Sequence, residues 1–248
     1  MVARQDGAGT MAVPCDCGME DRASRVVERA RIPKRYEHCD FESYSTDVSE
    51  SLQYTSSLKA AKMLAEKFVA EFPGSSEKGL MLMGPSGVGK THLAVACLKE
   101  LIRRGHQGLF CDYRELLKDI QASYNPSSES TELRILEPIR TAEVLVLDDL
   151  GASKPSAWVL DTIGLVLNAR YNARLTTLIT TNYLDTAKSD GKATRTPQGQ
   201  TMREVREDTL AERIGERMRS RLFEMCRTIE VHSTDFRREV GHSSRARA

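Results

Sequence analysis

Eight residues, Gly84-Pro85-Ser86-Gly87-Val88-Gly89-Lys90-Thr91, constrain this chain more than any other stretch of it. They fit the pattern GxxxxGK[ST] in full. Before them lies a solid apolar run, 79–83, and after them an amphipathic stretch from Lys90 to about Arg104. Strand, glycine-rich turn and helix in that order form the context the pattern requires. The glycines let consecutive backbone N–H groups turn inward on phosphate oxygens. The helix that follows points its positive end at the same place. Gly84, Pro85, Ser86, Gly87, Val88, Gly89, Lys90 and Thr91, with the adjoining His92, are therefore the expected nucleotide-binding set. Lys90 is expected to reach the outer phosphates, and the Thr91 hydroxyl to join the coordination of Mg²⁺.

A loop of this kind needs an acid at the end of a neighbouring strand to hold its metal. Val144-Leu145-Val146-Leu147 followed by Asp148-Asp149 supplies one. Asp148, in line with the strand, is the expected metal-site residue, and Asp149 the candidate for polarising an attacking water. The alternative is a helix cap or a surface acid pair. Further on, Ile179-Thr180-Thr181 ends in Asn182. In a parallel sheet the strand carboxyl ends face the ligand crevice, so Asn182 is placed to orient water there, although Asn is also a common turn residue. The run LAERIGERMRSRLFEM carries Arg213, Arg217, Arg219 and Arg221. They form either a solvated face balanced by Glu212 and Glu216, or a source of an arginine for a neighbouring subunit's site. Spacing does not decide between the two.

The remaining pattern predicts strands at 109–111, 175–181 and 228–231, and helices from Ser57, over 113–124, ahead of 144, over 158–172 and over 209–225. Short, solid apolar strands alternating with helices indicate an α/β protein with a parallel sheet covered on both faces. Residues 1–20 lack periodicity and are expected to be mobile, 21–31 reads as a short charged helix ended at Pro33, and 184–202 as an exposed loop. The 248 residues carry a net charge of +1, which excludes a global field that would draw in nucleic acid. No run approaches the ~18 apolar residues of a membrane span, and MVARQDGAGTMAVP lacks the apolar stretch of a secretory signal. The expected location is cytoplasmic, without membrane contact. Cys97, Cys111 and Cys226 sit among apolar neighbours and read as core residues. Cys15-Asp16-Cys17 could supply half a zinc site, completed by His38 and Cys39 only across a long intervening loop. No second Cys or His pair lies nearby, which argues against zinc.

Taken together, these residues resemble the DnaC/IstB branch of the AAA+ ATPases, which includes bacterial helicase loaders and transposition ATPases. The resemblance rests on RIPKRYEHCDFESY at 31–44, GPSGVGKTHLA at 84–94, VLVLDDLG at 144–151, ITTNY at 179–183 and ERIGERMRSRLFEMCRTIEV at 212–231, in the family's order. It implies a P-loop AAA+ core with a five-stranded parallel sheet between helices and a short N-terminal extension. The division implied is an extension at 1–45, an ATPase domain at 46–240 and a flexible tail at 241–248. Asp148 and Asp149 become the Walker B acids, Asn182 sensor I, Arg237 the sensor II arginine, and Arg221 the arginine finger, with Arg217 as an alternative. Ile32 and Pro33 are placed near the adenine. ATP and Mg²⁺ are the implied cofactors. Hydrolysis would serve as a switch in placing a replicative helicase on single-stranded DNA, with subunits assembling on ATP and DNA. Lys154, Ser156 and Trp158 are candidate DNA contacts, plain helix packing being the alternative for Trp158. A second reading is an IstB-like transposition helper that acts on duplex DNA with a transposase. A small-molecule kinase is a third, opposed by the arginine-dense helix. Asp149 departs from the Glu common at its position in AAA+ proteins, and the extension is shorter than in many relatives.

Overall fold

In the computed structural model the described residues are 2–6, 9–13, 28–47, 51–74, 79–125, 131–186 and 208–237. Strands β1 (Val2–Asp6) and β2 (Gly9–Val13) pair antiparallel, from Val2 opposite Val13 to Asp6 opposite Gly9. The sequence reading expected no regular structure there. The core carries helix α1 (Leu52–Glu71), strand β3 (Gly79–Met83), α2 (Lys90–Arg103) and β4 (Gly108–Asp112). It continues with α3 (Tyr113–Ser123), α4 (Glu132–Thr141), β5 (Val144–Asp148), α5 (Ala157–Ala173) and β6 (Thr176–Thr181). Helices α6 (Leu210–Ile214) and α7 (Glu216–Met225) precede the last strand, β7 (Arg227–Glu230).

Strands β4, β5, β6, β3 and β7 lie side by side in that order, and every adjacent pair is parallel. The expected five-stranded parallel sheet is present. Successive side chains on a strand point to opposite faces, and the burial follows this rule. Leu80, Leu82, Val144, Val146, Leu178 and Ile229 join one core with Leu58 and Phe68 of α1 and Leu93 and Leu101 of α2. Met81, Met83, Leu145, Leu147 and Ile179 join the other, with residues of α3, α4, α5 and α7. Both faces are covered, so the inner strands β3 and β5 read as nearly unbroken apolar runs, whereas β6 carries buried threonines and the edge strand β7 buries only Ile229.

Two expectations are corrected. Helix α1 begins at Leu52 rather than Ser57: its first turn holds no buried residue, Leu52 being 84% accessible, so no apolar period marks it. The arginine-dense stretch is two helices, because Gly215 has φ 84° and ψ 145°, outside the helical region. Thr209 and Glu212 form a capping box that starts the first of them.

Arg170, on α5, is fully buried. Its Nη1 donates to the carbonyls of Ile139 (2.9 Å) and Ala142 (2.8 Å), Nη2 to that of Thr176 (2.5 Å), and Nε to Thr177 Oγ1 (3.0 Å). The guanidinium thus joins the end of α4 to the start of β6. Of the helix expected over 21–31, only Glu28 and Arg29 are helical among the described residues. Cys15, Cys17, most of the 184–202 loop and the 241–248 tail lie outside them.

Candidate nucleotide-binding site

The parallel topology brings the carboxyl ends of β3, β5 and β6 to one edge, where loops diverge and leave a crevice. The chain from β3 turns sharply at Gly84, which has φ 146° and packs so tightly that a Cβ would lie 2.2 Å from the Val231 carbonyl oxygen. At Gly87, φ 82°, a Cβ would meet Asp235 Oδ1 at 1.9 Å. Both glycines are required by this close approach as well as by their dihedrals. The segment after β7 packs back over the loop: Val231 N–H donates to the Met83 carbonyl (2.8 Å) and Phe236 N–H to that of Gly87 (3.2 Å).

Lys90 opens α2 and is 5% exposed. Its ammonium donates to the Gly84 carbonyl (2.9 Å), the Pro85 carbonyl (2.7 Å) and Asn182 Oδ1 (2.8 Å). Burial pushes its pKa down to about 8, against the pull of Asp149 and Asp148. The next residue, Thr91, donates from Oγ1 to Asp148 Oδ1 (2.8 Å), which also accepts from Thr180 Oγ1 (2.6 Å). Asp148 is 1% exposed, and burial raises its pKa to about 6 despite those two hydroxyls. Asp149 follows in the left-handed region, φ 56°, with its N–H donating to Thr180 Oγ1 (2.9 Å). Asn182 Nδ2 reaches Asp149 Oδ1 at 3.5 Å. Asn182 therefore bridges the loop lysine and the second acid.

A cleft of about 640 Å³ opens here, lined by the loop, Asp149, Asn182, the 35–45 segment and Arg237. That volume lies within the usual range for small-ligand sites. His92 faces the 35–45 segment: its Nε2 donates to the Asp40 carbonyl (2.8 Å), and its ring meets Tyr44 edge-on, centroids 5.3 Å apart. Ile32 packs against the core, and Arg35, Tyr36 and Tyr44 form the cleft wall of this segment. The resemblance pointed to Arg237, but no local pattern marks the whole 231–237 return.

The other arginines separate by contact. Arg213 donates to the Gly151 carbonyl (2.8 Å) and Tyr183 hydroxyl (2.5 Å), and Arg219 forms a two-pronged ion pair with Asp185. Arg217 is exposed. Arg221 donates to Asn168 on α5 and lies outside the cleft of its own chain. Ser156 caps α5, its Oγ accepting from Val159 N–H (3.3 Å). Trp158 packs against the second core and donates from Nε1 to the Tyr124 hydroxyl (3.2 Å). Lys154 is exposed.

A phosphate-binding loop between β3 and α2, flanked by an acidic strand end in this sheet order, defines a P-loop protein of the AAA+ class. The chain belongs to the family of IstB-like ATP binding proteins, whose family model matches residues 18–188. It is similar to the replicative helicase loader DnaC of Buchnera aphidicola subsp. Schizaphis graminum, 26% identical over 161 residues, covering 65% of this chain and 62% of that protein. The DnaC of Escherichia coli K12 is 26% identical over 166 residues, covering 66% and 64%. This chain thus spans less than two thirds of the length of these relatives. Among solved structures, a DnaC helicase loader superposes with TM-score 0.61 at 30% identity, covering 81% of this chain and 100% of that one. DnaI follows with TM-score 0.58 at 27% identity, covering 81% and 95%. Among the described residues no helix is long and apolar enough to cross a membrane.

Proposed function

We propose that this chain is a cytoplasmic ATPase that helps place a replicative helicase on single-stranded DNA, using hydrolysis as a switch. The observation that carries it is one connected set, Lys90–Asn182–Asp149 beside Thr91–Asp148, in a chain similar to helicase loaders. Lys90 sits where it can exchange its carbonyl partners for phosphate oxygens. The donor set fits a magnesium–nucleotide complex, since a hydroxyl and a carboxylate oxygen 2.8 Å apart are the hard ligands Mg²⁺ prefers. Thr91 and Asp148 would hold that ion, which when bound neutralises charge on the phosphates. Asp149 is the group that accepts from and orients a water, and Asn182, tied to it, keeps that carboxylate aimed into the cleft. Arg237 borders the same cleft as a cation for the phosphates.

Arg221, outside its own cleft, is read as the residue that completes the site of the next subunit in a homo-oligomer. Lys154, Ser156 and Trp158 are the proposed single-strand contacts. The division into an extension at 1–45, an ATPase domain at 46–240 and a tail at 241–248 belongs to the same proposal. The test is the ATPase rate of the full chain without DNA, with single strands and with duplex, beside Lys90→Ala and Arg221→Ala. Stimulation by single strands, lost in both variants, supports the proposal. Preference for duplex would favour the transposition helper, and a fully active Arg221→Ala would remove the subunit-completing role.

A further inference from the structure

We infer that His38, Cys39 and His92 form a binding site for one divalent cation of the Zn²⁺ class. The sequence reading weighed zinc only through Cys15 and Cys17, because His92 is far from His38 and Cys39 along the chain. The fold closes that separation. Among the described residues these three make the one group whose metal-ligating atoms, one from each side chain, all lie within 4.8 Å of one another. His38 Nε2 is 3.8 Å from Cys39 Sγ. Metal bonds of ~2.3 Å to sulfur and ~2.0–2.1 Å to nitrogen, at a tetrahedral angle, put the two atoms about 3.6 Å apart. Small side-chain rotations therefore suffice to seat an ion.

The surroundings favour that seating. A carbonyl can only accept, so His92 carries its proton on Nε2 toward Asp40, and Nδ1 keeps a lone pair. A backbone carbonyl that fixes tautomer and ring orientation is the usual support of a metal-binding imidazole. The loop itself is held from behind: Lys99 Nζ donates to the carbonyls of Glu37 (2.8 Å) and Cys39 (3.0 Å). Ser43 N–H donates to Asp40 Oδ1 (2.7 Å), closing the turn. Two imidazoles and one thiolate are borderline-to-soft ligands, which suit Zn²⁺ and not Mg²⁺ or Ca²⁺. On binding, the Cys39 thiol releases its proton to buffer as the sulfur–metal bond forms. Water completes a fourth position. The ion would tie the 35–45 wall to the first turn of α2, one residue past Thr91.

The experiment uses the full chain carrying Cys15→Ser and Cys17→Ser, stripped with chelator and titrated with Co²⁺. The expected result is one equivalent of tetrahedral Co²⁺ with a thiolate-to-metal charge-transfer band, displaced by Zn²⁺. Cys39→Ser should abolish that band. His38 is exposed, so His38→Ala tests the site without disturbing the core, and should weaken Co²⁺ binding by more than about tenfold. Absence of the band in the Cys15→Ser, Cys17→Ser chain, or a band indifferent to His38→Ala, would overturn the inference. Since no nucleotide is present, failure here is separate from failure of the ATPase proposal.

Discussion

Replacing Asp148 by Asn should stabilise the nucleotide-free fold while removing the carboxylate proposed to hold Mg²⁺. Asp148 is 1% exposed, and its pKa rises from 3.8 to about 6. An acid with a raised folded-state pKa favours folding most below its unfolded value, and that contribution disappears as pH rises through the folded value. The gap is about two pH units, at roughly 1.4 kcal/mol each. Ionised Asp148 therefore costs the fold about 3 kcal/mol near neutrality. Asparagine keeps an oxygen to accept from Thr91 and Thr180 but carries no charge to desolvate. Urea unfolding at pH 7.5 should show Asp148→Asn more stable than the parent by about 1–3 kcal/mol, the lower figure allowing for imperfect amide packing. The advantage should shrink through pH 6 and vanish near pH 4. A variant less stable at pH 7.5, or an advantage that ignores pH, would refute the assignment of burial as the dominant cause. Added Mg²⁺ and ATP should stabilise the parent and leave the variant unchanged.

Magnesium–ATP affinity should be highest between about pH 6 and pH 8 by calorimetry, falling below as Asp148 protonates and above as Lys90 loses its proton; a flat profile from pH 5 to 9 would contradict both shifts. Lys90→Met should weaken ATP binding roughly 10- to 100-fold, the loss expected for hydrogen bonds to a charged group, measured by fluorescent-nucleotide titration. Gly84→Ala forces a Cβ to 2.2 Å from a backbone oxygen at φ 146°, and should cost roughly 2–4 kcal/mol in urea unfolding; a neutral outcome would refute the packing of Val231 on the loop. Trp158→Ala should weaken single-stranded DNA binding by about 1–3 kcal/mol in anisotropy titrations if a base stacks on it; unchanged affinity in a folded variant would leave Trp158 as packing alone.

Sequence made the sheet and the loop legible because both are local. Residues 79–91 hold strand, turn and helix start in one uninterrupted pattern, and 144–147 is a short solid apolar run. Asp148 and Asp149 were readable for the same reason, as acids attached to such a run. Asn182 was readable as the polar end of a strand, but its contact with Lys90 depends on the sheet order, which places β6 between β5 and β3. The break at Gly215 escaped because apolar positions on either side keep a helical period while one backbone dihedral does not. Arg170 gave no signal at all: an arginine late in a helix reads as surface, and its burial depends on carbonyls from two other elements. The meeting of His38 and Cys39 with His92 is likewise a property of the fold.

Arg170 pins the end of the sheet away from the cleft. Its contacts gather at the amino end of β6, beside the link into β5, whereas Asp148, Asp149 and Asn182 sit at the carboxyl ends. At about 3.3 Å per residue the two ends lie roughly 17–20 Å apart. A guanidinium desolvated among carbonyls cannot leave without giving up several strong bonds together, so this end of the sheet is costly to open. Damage at Arg170 would accordingly appear as a shorter lifetime of the folded protein, with the chemistry of each surviving molecule intact.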